Sequence, residues 1–400
     1  MADGQPRAEV SPVPAGAKEA GPRDAYRASG VDVDAGERAV ALMRAAIATT
    51  RRPEVIGGLG GFAAIVAVPA GLRDPVLVAS TDGVGTKTAV ARALGRLDTV
   101  GIDLVAMCAD DLVCAGAAPL FLLDYVAVGR LVPDEVAALV AGVAAGCRLA
   151  GCALVGGETA EHPGLLEPGA FDLAATCVGV VERSDLLDGS AVAAGDRLLG
   201  LAACGLHSNG FSLVRRLLAE HALDLAEPYA DVLTRHLPGV EPESDLAGAT
   251  LGEALLVPTR IYAPAALAIR AALREAGSDL HGVAHVTGGG LPGNVPRMLP
   301  AGLGARLDPD RWPMPPVMRL VAALGRLSGA EVRATFNGGL GMVLAVPPAA
   351  VAVALATARA AGIEAVEAGE IGPVELIGGR YVEVGEERPS SREHPRTGEG

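Results

Sequence analysis

Lysine is almost missing from this 400-residue chain: of 33 basic residues only Lys18 and Lys87 are lysines, leaving 33 − 2 = 31 arginines. Aromatic residues make up 3%, and asparagine occurs only at Asn209, Asn294 and Asn337. Positive charge is in deficit, 33 basic against 47 acidic residues. That balance argues against a general nucleic-acid binder, which needs a basic face to neutralise phosphates. Small anionic ligands stay open, because local loops and metal ions hold those. No C-x-x-C pair or zinc-finger spacing occurs among Cys108, Cys114, Cys147, Cys152, Cys177 and Cys204. Their apolar contexts read as reduced core thiols. Residues 1–24 lack the apolar stretch of a signal peptide. The charge-free run from Asn337 to Ala358 is broken by Pro347-Pro348 into a strand and an Ala-rich helix, which argues against a membrane span. These absences predict a cytoplasmic protein with no membrane and no nucleic-acid partner.

Hydrophobic residues reach 50%, ample for a core, and 400 residues suit two domains. Short apolar runs alternating with helical patterns predict a mixed α/β fold. Strands are expected at Phe62–Val68, Val76–Ser80, Leu120–Val128, Ala153–Val155 and Ala174–Val181, and helices at Asp34–Thr50, Thr86–Leu97, Asp98–Ala115 and Pro133–Leu149. A polar, turn-rich stretch from Glu182 to Arg197 marks the domain junction. Beyond it come strand Leu198–Ala203, helices Ser208–Glu220 and Thr259–Glu275, and strand Gly341–Val346. The expected units are a tail at 1–24, an N-terminal domain at 25–185, a C-terminal α/β domain at 186–385 and a second tail at 386–400.

The scarce residues fall at glycine-rich turns. Lys87 closes Thr81-Asp82-Gly83-Val84-Gly85-Thr86-Lys87, a loop after a strand. A compact ammonium suits phosphate oxygens, and the alternative is an exposed residue on a helix's first turn. Gly57, Gly58, Gly60 and Gly61 form another such loop, and Gly288, Gly289 and Gly290 a third. Glycine lets backbone amides approach a polyanion closely. Gly85-Thr86-Lys87 fails the Gly-Lys-Ser/Thr order of a Walker A loop. Gly288-x-Gly290-x-x-Gly293 fits dinucleotide spacing, but Pro292 interrupts it. Each asparagine adjoins or nearly adjoins glycine, as a ligand-facing amide or a turn residue. Asp82 ends a strand, Asp103, Asp110 and Asp111 share a helix, and Glu158 and Glu161 follow another strand. Convergent carboxylates facing a phosphate loop are what magnesium needs. Asp110 fits a solvated helix face, whereas Asp111 is harder to place in water. His207, between an apolar strand and a helix start, could orient substrate, move a proton, or pack as a turn residue. His285 is a weaker candidate.

These motifs together resemble the phosphoribosylformylglycinamidine cyclo-ligase family, also called aminoimidazole ribonucleotide synthetases. The similar segments include Thr50-Arg-Arg-Pro-Glu-Val55, Gly57 to Phe62, Thr81 to Lys87, Gly101 to Cys108, Leu154 to Glu161, His207-Ser-Asn-Gly210 and Thr287-Gly-Gly-Gly290, in order along nearly the whole chain. The resemblance implies ATP-dependent closure of formylglycinamidine ribonucleotide, with Mg²⁺. It implies that Gly57, Gly58, Gly60 and Gly61 fold over the ATP phosphates, with Gly83, Gly85 and Thr86 beside them. Lys87 would contact phosphate, Asp82, Asp111 and Glu158 would hold the metal, and His207 and Asn209 would face the reacting centre. It also implies a homodimer whose N-terminal strands build a shared barrel. Three positions depart from the pattern: Arg44 stands where a lysine can lie near the nucleotide, Asp110 replaces an asparagine, and Gly338 replaces a larger residue. Relatives such as thiamine-phosphate kinase lack the Thr-Arg-Arg-Pro-Glu-Val and His-Ser-Asn-Gly matches.

Overall fold

The computed structural model describes residues 28–58 and 60–385, so both expected tails lie outside the described residues. Helix α1 (Val33–Ala48) starts where the Asp32 carboxylate accepts from the Ala35 amide at 3.0 Å. A two-residue hairpin follows, β1 (Val55–Ile56) with β2 (Ile65–Val66), and the first glycine-rich segment is its turn. The strand expected at Phe62–Val68 shrinks to this stub, with Phe62 fully exposed.

The first sheet has the order β3-β6-β4-β5, from β3 (Pro75–Gly83), β4 (Ala118–Val128), β5 (Ala153–Glu161) and β6 (Phe171–Glu182). Its pairs are antiparallel except β4 with β5. The expected strand at Ala153–Val155 runs on through Gly156-Gly157 to Glu161, because register with β4 carries it past the glycines. Between β3 and β4 come α2 (Lys87–Leu94) and α3 (Val100–Cys114), and α4 (Pro133–Ala150) joins β4 to β5. Pro133 opens α4, and Gly151 closes it in the left-handed region at φ 73°. Helix α3 lies over β3 and β6, while α1 packs on α4 and β5.

The second sheet has the order β12-β9-β11-β7-β10-β8: β7 (Arg197–Ala202), β8 (Gly282–His285), β9 (Leu303–Leu307), β10 (Leu340–Val346), β11 (Ala365–Pro373) and β12 (Tyr381–Glu383). Only β12 with β9 is parallel. Helices α5 (Phe211–Glu220), α6 (Ala263–Glu275), α7 (Pro316–Gly325), α8 (Gly329–Thr335) and α9 (Val351–Ala360) accompany it. Pro347-Pro348 separates β10 from α9 as the sequence suggests, and no helix among the described residues is long and apolar enough to cross a membrane. The Gly288–Gly293 spacing follows edge strand β8, which pairs antiparallel with β10, so no βαβ dinucleotide unit exists there. One apolar cluster runs through both halves, from Val90 and Leu104 to Leu206, Phe211 and Leu255.

Candidate active site

The two halves meet along a cleft walled by β3 and α3 on one side and the second half on the other. Side chains alternate along β3, so Ser80 and Asp82 share a face. That face meets Asp111 near the C-terminal end of α3. Ser80 Oγ donates to Asp111 Oδ2 at 3.2 Å, and His285 Nδ1 lies 3.0 Å from Asp111 Oδ1. Two hollows open here. One of about 380 Å³ is lined by Ser80, Asp111, Asp188, His285, Asn294 and Arg297, among others. The other, of about 480 Å³, is lined by Asp82, Gly85, Thr86, Asp172, Ser208 and Asn209, among others. Thr86 Oγ1 reaches Ser212 Oγ at 3.1 Å across the second hollow's rim.

The two aspartates differ in proton affinity. Burial pushes the Asp82 carboxyl up, and the nearby Asp111 charge adds to that, against a hydrogen bond from the Gly83 amide at 2.7 Å. Burial also opposes ionisation of Asp111, but the bonds from His285 and Ser80 and the charges of His285 and Arg297 bring it below the ordinary carboxylate range. Asp111 therefore stays an anion, and its side chain remains 39% exposed toward the cleft. Asp82 keeps one oxygen free of the Gly83 bond. One or two such carboxylates, completed by substrate phosphates, fit the oxygen-rich shell of Mg²⁺.

Several expected positions are placed differently. Glu158 lies exposed on β5, at the far edge of the sheet from β3, opposite Tyr125. Sheet order therefore separates it from Asp82 and Asp111, and among the described residues no three His, Cys, Asp or Glu side chains gather as a metal site. Lys87 is fully buried rather than on an exposed first turn. Its ammonium donates to Asp103 Oδ1 at 2.8 Å, the His207 carbonyl at 3.0 Å and the Val257 carbonyl at 2.8 Å, and lies 5.4 Å from the Phe211 ring centre. All three of its protons are committed to the protein in this arrangement. His207 is 2% exposed, with left-handed backbone at φ 63°. Burial, with the Lys87 charge behind it, lowers its pKa well below the histidine norm, and Nε2 faces Cys204 Sγ at 3.8 Å. Its ring lines neither hollow, as the packed-turn reading of this residue expects.

Asn209, by contrast, lines the second hollow with Gly83, Gly85 and Thr86. Asn294 borders the first hollow while its Nδ2 donates to the Gly290 carbonyl at 2.8 Å, and Asn337 serves a turn, its Nδ2 donating to the Gly205 carbonyl at 2.9 Å. Arg44 is exposed on α1, on the α4 and β5 side of the sheet. Gly57, Gly58, Gly60 and Gly61 are exposed in the hairpin turn, Gly57 and Gly60 with positive φ. The reading of Asp110 and Asp111 reverses: Asp110 is fully buried, accepting the Tyr262 and Ala263 amides at 2.8 and 2.7 Å, and Asp111 is the exposed one. Sequence reasoning missed Ser80 and Arg297 and undervalued His285. Alternation from Asp82 would have found Ser80; Arg297 carries no signal of its own among the 31 arginines.

Residues 61–181 match the family described as AIR synthase related protein, N-terminal domain, and residues 193–381 match its C-terminal domain. The fold and cleft thus define a two-part member of the AIR synthase related proteins. Relatives named phosphoribosylformylglycinamidine cyclo-ligase narrow this: one from Thermosynechococcus vestitus is 49% identical over 88% of this chain and 98% of its own length. Another from Gloeobacter violaceus is 53% identical over 80% of this chain and 90% of its own. The chain belongs to the phosphoribosylformylglycinamidine cyclo-ligase family and is an enzyme of that ligase class. Two solved structures share the fold at low identity. A thiamine-monophosphate kinase from Stenotrophomonas maltophilia K279a has a TM-score of 0.59 at 21% identity, covering 87% of this chain and 96% of its own. Hydrogenase maturation protein HypE in complex with ATP has a TM-score of 0.57 at 19% identity, covering 85% and 88%.

Proposed function

We propose that this chain converts formylglycinamidine ribonucleotide and ATP into aminoimidazole ribonucleotide, ADP and phosphate. An amide oxygen is a poor leaving group, so the γ-phosphoryl group is transferred to it, giving an iminophosphate. The amidine nitrogen then attacks the same carbon, the carbon–oxygen bond breaks, and phosphate departs as the imidazole closes. No protein nucleophile is needed. The protein's task is to align two anionic substrates and offset their charge.

The observation that carries this reading is the cleft bearing Asp82, Asp111 and Asn209 in a chain about half identical to named cyclo-ligases over nearly their full length. Backbone amides at Gly85 and Thr86 face phosphate, beside Gly83, with the Gly57–Gly61 turn folding over it. Asp82 and Asp111 hold Mg²⁺, which supplies charge neutralisation to the transferring phosphoryl group. Asn209 orients the reacting amide. His285 and Ser80 keep Asp111 ionised and aimed. The enzyme works as a homodimer, in the cytoplasm where free thiols persist.

Release of ADP with formylglycinamidine ribonucleotide, coupled to a spectroscopic assay, tests the reaction. Turnover should require Mg²⁺, and Asp82→Asn should remain folded yet lose about a hundredfold in kcat or more. Turnover with thiamine monophosphate instead would transfer the chain to its kinase fold relatives. Near-normal turnover of folded Asp82→Asn would remove the metal role.

A further inference from the structure

The solitary lysine of the described residues is fully buried, which raises a question: why lysine here, in a chain that writes almost every other cation as arginine? Its surroundings supply the reason. The slot has no solvent access and presents three oxygens from three separate segments: Asp103 on α3, the carbonyl of His207 and the carbonyl of Val257. A tetrahedral ammonium satisfies three acceptors at a point, whereas a planar guanidinium is larger and spreads its donors in a fork. Asp103 Oδ1 takes two further bonds, from Thr259 N at 2.8 Å and Thr259 Oγ1 at 2.6 Å.

This knot joins both walls of the cleft. Lys87 is the first residue of α2, directly after Gly83–Thr86 in one wall. The carbonyl it grips belongs to His207, directly before Ser208 and Asn209 in the other. His207 sits in left-handed backbone, an uncommon conformation for a residue with a side chain, and its carbonyl bond to Lys87 helps hold it there. We propose that Lys87 is a positioning residue: its buried ammonium, with Asp103, fixes the spacing between the Gly83–Thr86 loop and the His207–Gly210 loop, and so aims Asn209 without touching either substrate. The activity part of this inference rests on the cyclo-ligase reading; the burial part does not.

Two measurements test it. Native enzyme is treated with an amine-acetylating reagent, with and without ATP and Mg²⁺, and read by peptide mass spectrometry. Lys18 is the only other lysine and reports on the reagent. Lys87 should stay unmodified under both conditions, and become modified once the protein is unfolded in denaturant. Acetylation of Lys87 in the folded enzyme, above all if ATP blocks it, overturns the proposal whatever reaction the enzyme performs. The second measurement compares Lys87→Met with Lys87→Met/Asp103→Asn. The single change strands a buried carboxylate, so the double variant should melt closer to the unaltered enzyme. Its kcat should nonetheless stay about tenfold to a hundredfold down, with KM for ATP within about threefold, as expected when alignment rather than binding is lost. Full recovery of kcat in the double variant would make the pair a stabilising contact only. A rise in KM for ATP with kcat preserved would return Lys87 to the nucleotide.

Discussion

Asp110 is a buried acid whose ionisation works against the fold. Its Oδ1 caps the start of α6 through the Tyr262 and Ala263 amides, while Oδ2 is buried without a partner. Burial raises its pKa to about 7, partly countered by His285 and the two amide bonds. In the unfolded chain a free aspartate titrates near 3.9. A folded pKa above the unfolded one means that the native state holds the proton more tightly, so this group's stability contribution is fully present below about pH 4. It is lost progressively as pH rises to about 7, and is level above that. Asp110→Asn keeps the capping oxygen and cannot ionise. It should raise the thermal midpoint at pH 8, by up to about 4 kcal/mol in stability, and change it little at pH 4. Equal shifts at both pH values would show that ionisation is not the cost. The identity of this residue was legible in the sequence as a departure from the family's asparagine, but its burial was not. Polar neighbours in sequence say little about a helix covered on every side. The same limit applies to Lys87 and His207: rarity drew attention to the right place, while the partners that bury them arrive from residues 257–262, far away in the chain.

Helix α3 shows why elements differ from amphipathic expectation. It is buried almost throughout because β3 and β6 lie beneath it, α4 crosses it, and β8 and α6 of the second half close the remaining sides. The crossing with α4 depends on glycine. A Cβ on Gly101 would stand 2.2 Å from the Val143 amide nitrogen, and one on Gly142 2.5 Å from the Asp98 carbonyl. Neither obstacle is a side chain that can turn away. Gly101→Ala should therefore cost about 3 kcal/mol or more, read as a lower denaturant midpoint, and an unchanged midpoint would refute the close approach. The helices and strands of the first half were legible from their start and stop residues, such as Pro133 and Gly151. The second half was less so. Strand β8 is four residues long, and β11 (Ala-Val-Glu-Ala-Gly-Glu-Ile-Gly-Pro) mixes acids and glycines with a register shift between Glu367 and Gly369. Both are strands because neighbours pair with them, a contribution that local propensity does not carry. Gly338 also finds its reason here: at φ 61° its missing side chain leaves room for Arg333, which crosses it to reach Glu383.

At the scale of the molecule, the first sheet has two unlike faces. Helices cover one; the other presents Leu77, Leu123 and Tyr125 at 60%, 37% and 40% exposure, with Thr81 and Thr176 hydroxyls bonded at 2.7 Å between them. An apolar sheet face of this kind is suited to a second copy. Light scattering should give twice the chain mass, and Leu77→Arg combined with Tyr125→Glu should halve it while the second half keeps its fold. A monomeric unaltered enzyme would remove the proposed barrel.

The grip of Asp103 on Thr259 carries a consequence for anyone who divides this polypeptide. A break near residue 190 would free neither piece as an independent unit, since each would surface with a torn apolar flank, and the Lys87–Asp103 pair of the first would lose the His207 and Val257 carbonyls and Thr259 of the second. Supplied as two separate polypeptides, they should regain native form only by finding one another.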